Sequence, residues 1–213
     1  MEQLRALKQM ESKLSLLGDH VGVLSGKLED LLFRAQRIAH ALKDNANAKV
    51  KVADTMFGYD LQTFRRDVRA FGNDAGGLSS TLGGIEHSAQ YDESSLGHAQ
   101  AVMRLSDRLH KSLGVLLDKA VLAHQHIREA EHKVEAWYMV QEVEALAQQA
   151  QVLPGIANKL LIAVSTRKGA PVPPPAAAGA PEPTLERRAV PLRKVGRLAS
   201  GTPDATPPET PQS

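Results

Sequence analysis

Histidine is the residue type whose number first suggests chemistry, because eight histidines in 213 residues could supply a metal site. Two histidines on one helix share an ion when they lie four residues apart, on the same face. His124 and His126 are two residues apart, and His132 lies eight residues after His124. The sequence contains no cysteine, which removes thiolate ligands. We therefore expect the histidines to lie on helix surfaces, and we expect neither a metal nor another cofactor.

The glycine-rich stretch from Gly72 to Tyr91 is the second candidate, since glycine loops can cradle phosphate groups. It lacks the Lys-Ser/Thr pair of a phosphate-binding loop, and no strand is predicted before it. The chain has no nucleophile elbow, and its carboxylates are scattered along helical faces. These patterns predict a protein that is not an enzyme and that has no evident small-molecule substrate.

Charge and hydropathy limit the partners further. The formal net charge is only +2, which gives no strong field for nucleic acid, so nucleic acid is not expected among the partners. The N-terminus, Met1 to Arg5, lacks the apolar core of a signal peptide. The longest apolar run, from Leu160 to Val164, is far too short to span a bilayer. We expect a cytoplasmic protein, or a nuclear one if the source is eukaryotic.

The elements that would position any functional residue are long helices. In the first part of the chain, apolar residues recur with alternating steps of three and four for five heptads, which is the spacing of a coiled-coil seam. Those residues are Leu7, Met10, Leu14, Leu17, Val21, Leu24, Leu28, Leu31, Ala35, Ile38 and Leu42. Two later seams share this spacing, from Phe57 to Phe71 and from Val102 to Trp137.

The seams predict helices over about residues 2–71 and 94–152, with a connector at 72–91 and a short helix at about 156–166. A break near 44–48 is the alternative for the first helix, because Asp44, Asn45 and Asn47 are poor helix formers. Folding the chain at the middle of the connector gives an all-α, antiparallel coiled-coil hairpin as the domain of residues 1–168. The predicted helix-packing interface comprises Leu24, Leu28, Leu31, Ala35, Ile38, Ala123, Ile127, Ala130, Val134 and Trp137.

Apolar residues beside the seams, including Leu32, Phe33 and Val115, widen the apolar stripe beyond what two helices need. This width predicts a bundle of about four helices, formed by two hairpins or by a hairpin and partner helices. Gly18, Gly22 and Gly26 repeat every four residues in the first helix. The two readings of this repeat, close approach of another helix and a weakened flexible stretch, are about equally favoured.

Residues 169–213 form the predicted disordered, proline-rich tail, which holds 11 of the 12 prolines and no aromatic residue. Arg187 to Leu198 mixes basic and apolar residues, a pattern typical of a linker or of a segment that docks on an acidic surface. If the source is eukaryotic, the tail also offers candidate phosphorylation sites, whereas in a bacterium the composition has no such meaning. The candidate sites are Ser200, Thr202, Thr206 and Thr210.

Together these features favour a non-enzymatic scaffold or adaptor subunit that assembles with itself or with other helical proteins through its coiled-coil seams. A membrane-surface or membrane-shaping helical domain is one alternative, although the charge is balanced and no basic face is evident. A helical hairpin linked to bacterial secretion or signalling is the other alternative.

Overall fold

The computed structural model describes residues 1–43, 48–127 and 130–166, with side chains for residues 1–40, 56–127 and 132–166. The chain divides into a unit of residues 1–170 and a unit of residues 171–213, and the predicted disordered tail lies outside the described residues. The first unit is all-α, with a 3-10 turn at Glu93–Ser95. Its helices are α1 (Glu2–Lys43), α2 (Ala48–Ala75), α3 (Leu78–Ser88), α4 (Leu96–His126), α5 (Ala130–Gln151) and α6 (Leu153–Ser165).

Helices α1 and α2 lie side by side in opposite directions. Lys27 pairs with Asp67 at 2.6 Å, while Arg34, one heptad later, pairs with Asp60, one heptad earlier. The predicted continuous helix over residues 2–71 is therefore wrong, because α1 ends at Lys43 and α2, which begins at Ala48, runs antiparallel to it. The predicted alternative, a break near 44–48, agrees with these helix ends.

Helices α1 and α4 pack against each other and run in the same direction. In their polar contacts, which begin at Gln90 just before α4, the residue numbers on both sides increase together. These contacts join Gln3 to Gln90, Glu11 to His98, Ser25 to Lys119 and Gln36 to His126. The predicted antiparallel register between the first and last seams is therefore wrong. A heptad repeat shows which face of a helix is buried, but it carries no direction for the partner helix.

Helices α2 and α5 are also parallel, since Gly58 lies against His132 and Gly72 lies against Leu146. The unit is thus a four-helix bundle formed within one chain. Helices α1 and α4 are continuous along it, and the other two positions are filled by α2 followed by α3 and by α5 followed by α6. The bundle arises without a second copy of the chain, which removes the packing argument for self-association.

Both interrupted helices keep their heptad phase through the interruption. The described core residues that continue this phase through α2 and α3 are Phe57, Leu61, Phe64, Val68, Phe71, Ala75, Leu78, Leu82 and Ile85. Those of α5 and α6 are Ala136, Met139, Val143, Leu146, Ala150, Leu153, Ala157, Leu160 and Val164. The predicted connector at 72–91 is therefore largely helical, because its apolar residues continue the seam despite its glycines.

Local sequence explains where these helices begin. Gly77 precedes α3 with φ of 75°, a left-handed conformation that glycine adopts without a Cβ penalty. Asp92 accepts hydrogen bonds from the Ser94 backbone N–H at 3.0 Å and from the Ser94 hydroxyl at 2.6 Å, which fixes the turn before α4. Pro154 lies in the first turn of α6, where no backbone N–H is required. Within the described residues, no helix is both long and apolar enough to cross a membrane.

Candidate interaction surface

Helix α2 presents Gly58, Arg65 and Gly72 to α5, one residue per heptad. A Cβ atom at Gly58 would lie 2.7 Å from Cε1 of His132, and one at Gly72 would lie 3.2 Å from Cδ2 of Leu146. The two glycines therefore permit a close approach of α5 on either side of Arg65. This row of Gly58, Arg65 and Gly72 was not predicted from the sequence, although the seven-residue spacing of its members is visible there.

Arg65 is the most enclosed cation among the described ion pairs, with its side chain 12% exposed. Its Nη2 donates to Oε1 of Glu142 at 2.7 Å, its Nε donates to Oε2 at 3.2 Å, and its Nη1 donates to Glu135. Arg69 adds hydrogen bonds of 2.9 Å and 2.7 Å to the same Glu142 oxygen. The Arg65 guanidinium also lies 5.0 Å from the ring centroid of Tyr138.

These contacts shift the titration of both partners. The hydrogen bond to Glu142, with help from Glu135, raises the pKa of Arg65 against the opposing effect of burial. Burial acts to raise the pKa of Glu142, but hydrogen bonds from Arg65 and Arg69 outweigh it and hold the pKa below its ordinary value. The charges of Arg65 and Arg69 balance those of Glu135 and Glu142, and each group in the cluster is paired with an opposite charge. The cluster therefore leaves no group poised for acid–base chemistry. Its role is to hold the register of α2 against α5.

Large apolar side chains are exposed at the end of the bundle where α1 and α4 finish and α2 and α5 begin. We call this set the aromatic end, since it includes four of the protein's eight aromatic residues. Its members lie on four helices: Phe33, Met56, Tyr59, Val121, Leu122, Val134, Trp137 and Tyr138. Trp and Tyr are enriched in the parts of protein interfaces that contribute most to binding, so this end is the candidate interaction surface.

The outer face of α5 provides the densest part of the aromatic end. Val134, Trp137 and Tyr138 have the i, i+3, i+4 spacing that places side chains together on one helix face. They are 55%, 49% and 45% exposed, respectively. The rings of Trp137 and Tyr138 meet edge to face, with centroids 5.1 Å apart. The Arg65 guanidinium packs against one face of the Tyr138 ring, so part of this surface is supported by the ion-pair cluster.

The residues predicted from the seams divide between the core and this surface. Leu24, Leu28, Leu31, Ala35, Ala123 and Ile127 are buried, and Ile38 is half-buried against the core. Val134 and Trp137 are exposed, contrary to the predicted interface, because α4 ends at His126 and α5 buries a different phase beginning at Ala136. The side chain of Ala130 lies outside the described residues, as do Ser200, Thr202, Thr206 and Thr210.

Among the described residues, no group of three or more His, Asp or Glu side chains has the geometry to hold a metal ion. His98 lies 2.6 Å from Glu11, His126 lies 3.5 Å from Gln36, and His20 packs on Phe71, so these histidines serve helix packing. Each position of the Gly18, Gly22 and Gly26 repeat has open space around it, so none of the helices that the structure describes approaches it closely.

No protein-family model, no curated protein and no solved structure matches this chain.

Proposed function

We propose that the protein is a non-enzymatic adaptor in which a rigid four-helix bundle presents the aromatic end to a helical protein partner. The observation that carries this proposal is the exposed Val134, Trp137 and Tyr138 face of α5. An i, i+3, i+4 apolar face is the geometry that packs against a similar face on another helix. Since the chain forms a four-helix bundle by itself, this exposed face is not needed for folding.

The energetic expectation follows from the size of the side chains. Trp and Tyr bury large apolar areas and lose few rotatable bonds, so they often dominate an interface. Truncating Trp137 to Ala should weaken partner binding by about 2 kcal/mol or more, which is roughly 30-fold in Kd. Tyr138 should contribute less, because Arg65 already covers one face of its ring.

The matched control is Val152, which is 51% exposed and lies at the junction of α5 and α6, outside the aromatic end. A photo-crosslinking amino acid is placed at position 134 or at position 152 in the full-length protein in its native host. The proposal predicts protein adducts from position 134, mapped to a helical segment of one partner, and none from position 152. Adducts should disappear when Trp137→Ala is added. Equal labelling from both positions, or none from 134, would contradict the docking face.

Two further outcomes identify the kind of partner. If the adducts join two copies of this chain, the partner is the protein itself, and sedimentation should show a mass that rises with concentration and falls in Trp137→Ala. If position 134 yields no protein adduct and the protein cosediments with anionic vesicles through Trp137, the aromatic end serves a membrane surface, because Trp and Tyr also favour that interface. That second outcome would replace the proposed protein partner.

A further inference from the structure

A cavity lies beside the interruptions in the two broken helices. Helix α2 gives way to α3 at Gly76 and Gly77, and α5 gives way to α6 at Val152. Because α2 and α5 are parallel neighbours, the two interruptions fall at the same level of the bundle, and residues from both line one cavity of about 630 Å³. Small-molecule pockets in proteins usually measure roughly 300–1,000 Å³.

Small residues on the two broken helices open this cavity. Its walls include Gly72, Ala75 and Ala150, where larger side chains would close the gap between α2 and α5. Leu109 and Leu113 of α4 close it at its inner end, where they are only 1% and 2% exposed. The cavity is therefore a cleft on the α2/α5 side of the bundle that ends at α4.

The lining decides which ligands could enter. None of the residues that line the cavity carries a charge, and its polar side chains are Ser79, Gln148 and Gln149. A charged ligand would lose its hydration without meeting an opposite charge, which is strongly unfavourable. The accessible apolar walls at Ala75, Ala145 and Val152 favour an apolar body, while one hydroxyl and two amides can bond a neutral polar group.

The cavity does not result from a mismatch between helix segments. The core residues continue in heptad phase from Phe71 through Ala75 to Leu78, and likewise from Ala150 to Leu153. An uninterrupted helix would therefore place the same residues in the core. The interruptions are therefore not needed to restore the seam, and the cavity lies beside them.

We infer that this cavity binds an uncharged, mainly apolar small molecule of the size of a medium-chain aliphatic alcohol. Its chain lies along the accessible wall at Ala75 and Val152, and its polar group reaches Ser79 or Gln149. This site is separate from the aromatic end, and the inference does not depend on the proposed docking function.

The test uses the full-length protein, Nile red as a neutral fluorescent probe and 1-decanol as a competitor. We expect saturable binding of one Nile red per chain and its displacement by 1-decanol. Ala75→Leu places an isobutyl group in the cavity, displacing about two methylene groups of ligand, so both affinities should fall about tenfold. Ala70→Leu is the matched control, since Ala70 is exposed on the same helix and does not line the cavity.

Trp137→Ala separates this site from the aromatic end and should leave Nile red binding unchanged. A wild-type protein without saturable binding would overturn the inference, as would equal loss of affinity in Ala75→Leu and Ala70→Leu. If Ala75→Leu does not fold, photolabelling of the wild type with a diazirine-bearing aliphatic alcohol decides the question. Labels within residues 71–79, 109–113 or 145–153 support the site, and labels elsewhere reject it.

Discussion

Replacing Arg65 with Met tests what holds α2 against α5. Methionine keeps an unbranched apolar chain, but Glu142 loses two hydrogen bonds and Glu135 loses one. Breaking a fully buried ion pair costs about 3–5 kcal/mol, whereas exposed pairs contribute about 0–1 kcal/mol. Arg65 is 12% exposed, while Glu142 and Glu135 are 21% and 31% exposed. The expected loss in the free energy of unfolding is therefore intermediate, about 2–3 kcal/mol.

Urea unfolding followed by circular dichroism measures this loss, and Lys111→Met is the control. Lys111 pairs with Asp107 within α4, but their side chains are 72% and 44% exposed, so its replacement should change stability by at most about 0.5 kcal/mol. Among the described ion pairs Glu135 is held by Arg65 alone, whereas Glu142 keeps Arg69. Adding Glu135→Gln to Arg65→Met therefore removes an unpaired carboxylate and should recover about 1 kcal/mol. A loss below about 1 kcal/mol in Arg65→Met, or no difference from Lys111→Met, would refute the reasoning.

Four further substitutions test the ion pairs and the packing. The pKa of Glu142 is lowered in the folded state, so its contribution is present above the ordinary glutamate pKa and disappears as pH falls through the folded value. Wild type should therefore lose more stability than Glu142→Gln between pH 6 and pH 3 in urea titrations. Gly22→Ala should add about 0.5–1 kcal/mol because nothing surrounds it, whereas Gly58→Ala should gain less since it displaces His132. Ser106→Ala should stabilise by about 1 kcal/mol, because its buried hydroxyl has no hydrogen-bond partner; a loss in calorimetry would contradict this.

Residue spacing predicted the buried faces well and the connections poorly. The residues from Leu7 to Ala35 with alternating three- and four-residue steps are buried, because a helix buries whichever face is apolar. The direction of the neighbouring helix depends on where the chain turns, and from sequence alone the few polar residues between Lys43 and Ala48 could equally have continued a helix. The seam was also extended too far, to Trp137, because Ala130, Val134 and Trp137 happen to continue the period beyond the end of α4.

The candidate site was harder to predict than the fold. Arg65 lies among several arginines with no distinguishing motif, and only its seven-residue distance from Gly58 and Gly72 marks it. Its partners, Glu135 and Glu142, are separated from it in the chain by two whole helices, α3 and α4, so their contact depends on the parallel arrangement of α2 and α5. The aromatic end was missed because Trp137 was assigned to the core by period alone.

Fluorescence quenching of Trp137 tests the central claim most directly, since this is the only tryptophan in the chain and no variant is needed. In a single-chain bundle with a presented aromatic end, the indole is 49% exposed. The account predicts ready quenching by acrylamide and a long-wavelength emission maximum in dilute, monomeric protein. Poor quenching and a short-wavelength maximum in the monomer would contradict it, because they would place Trp137 inside the helical core.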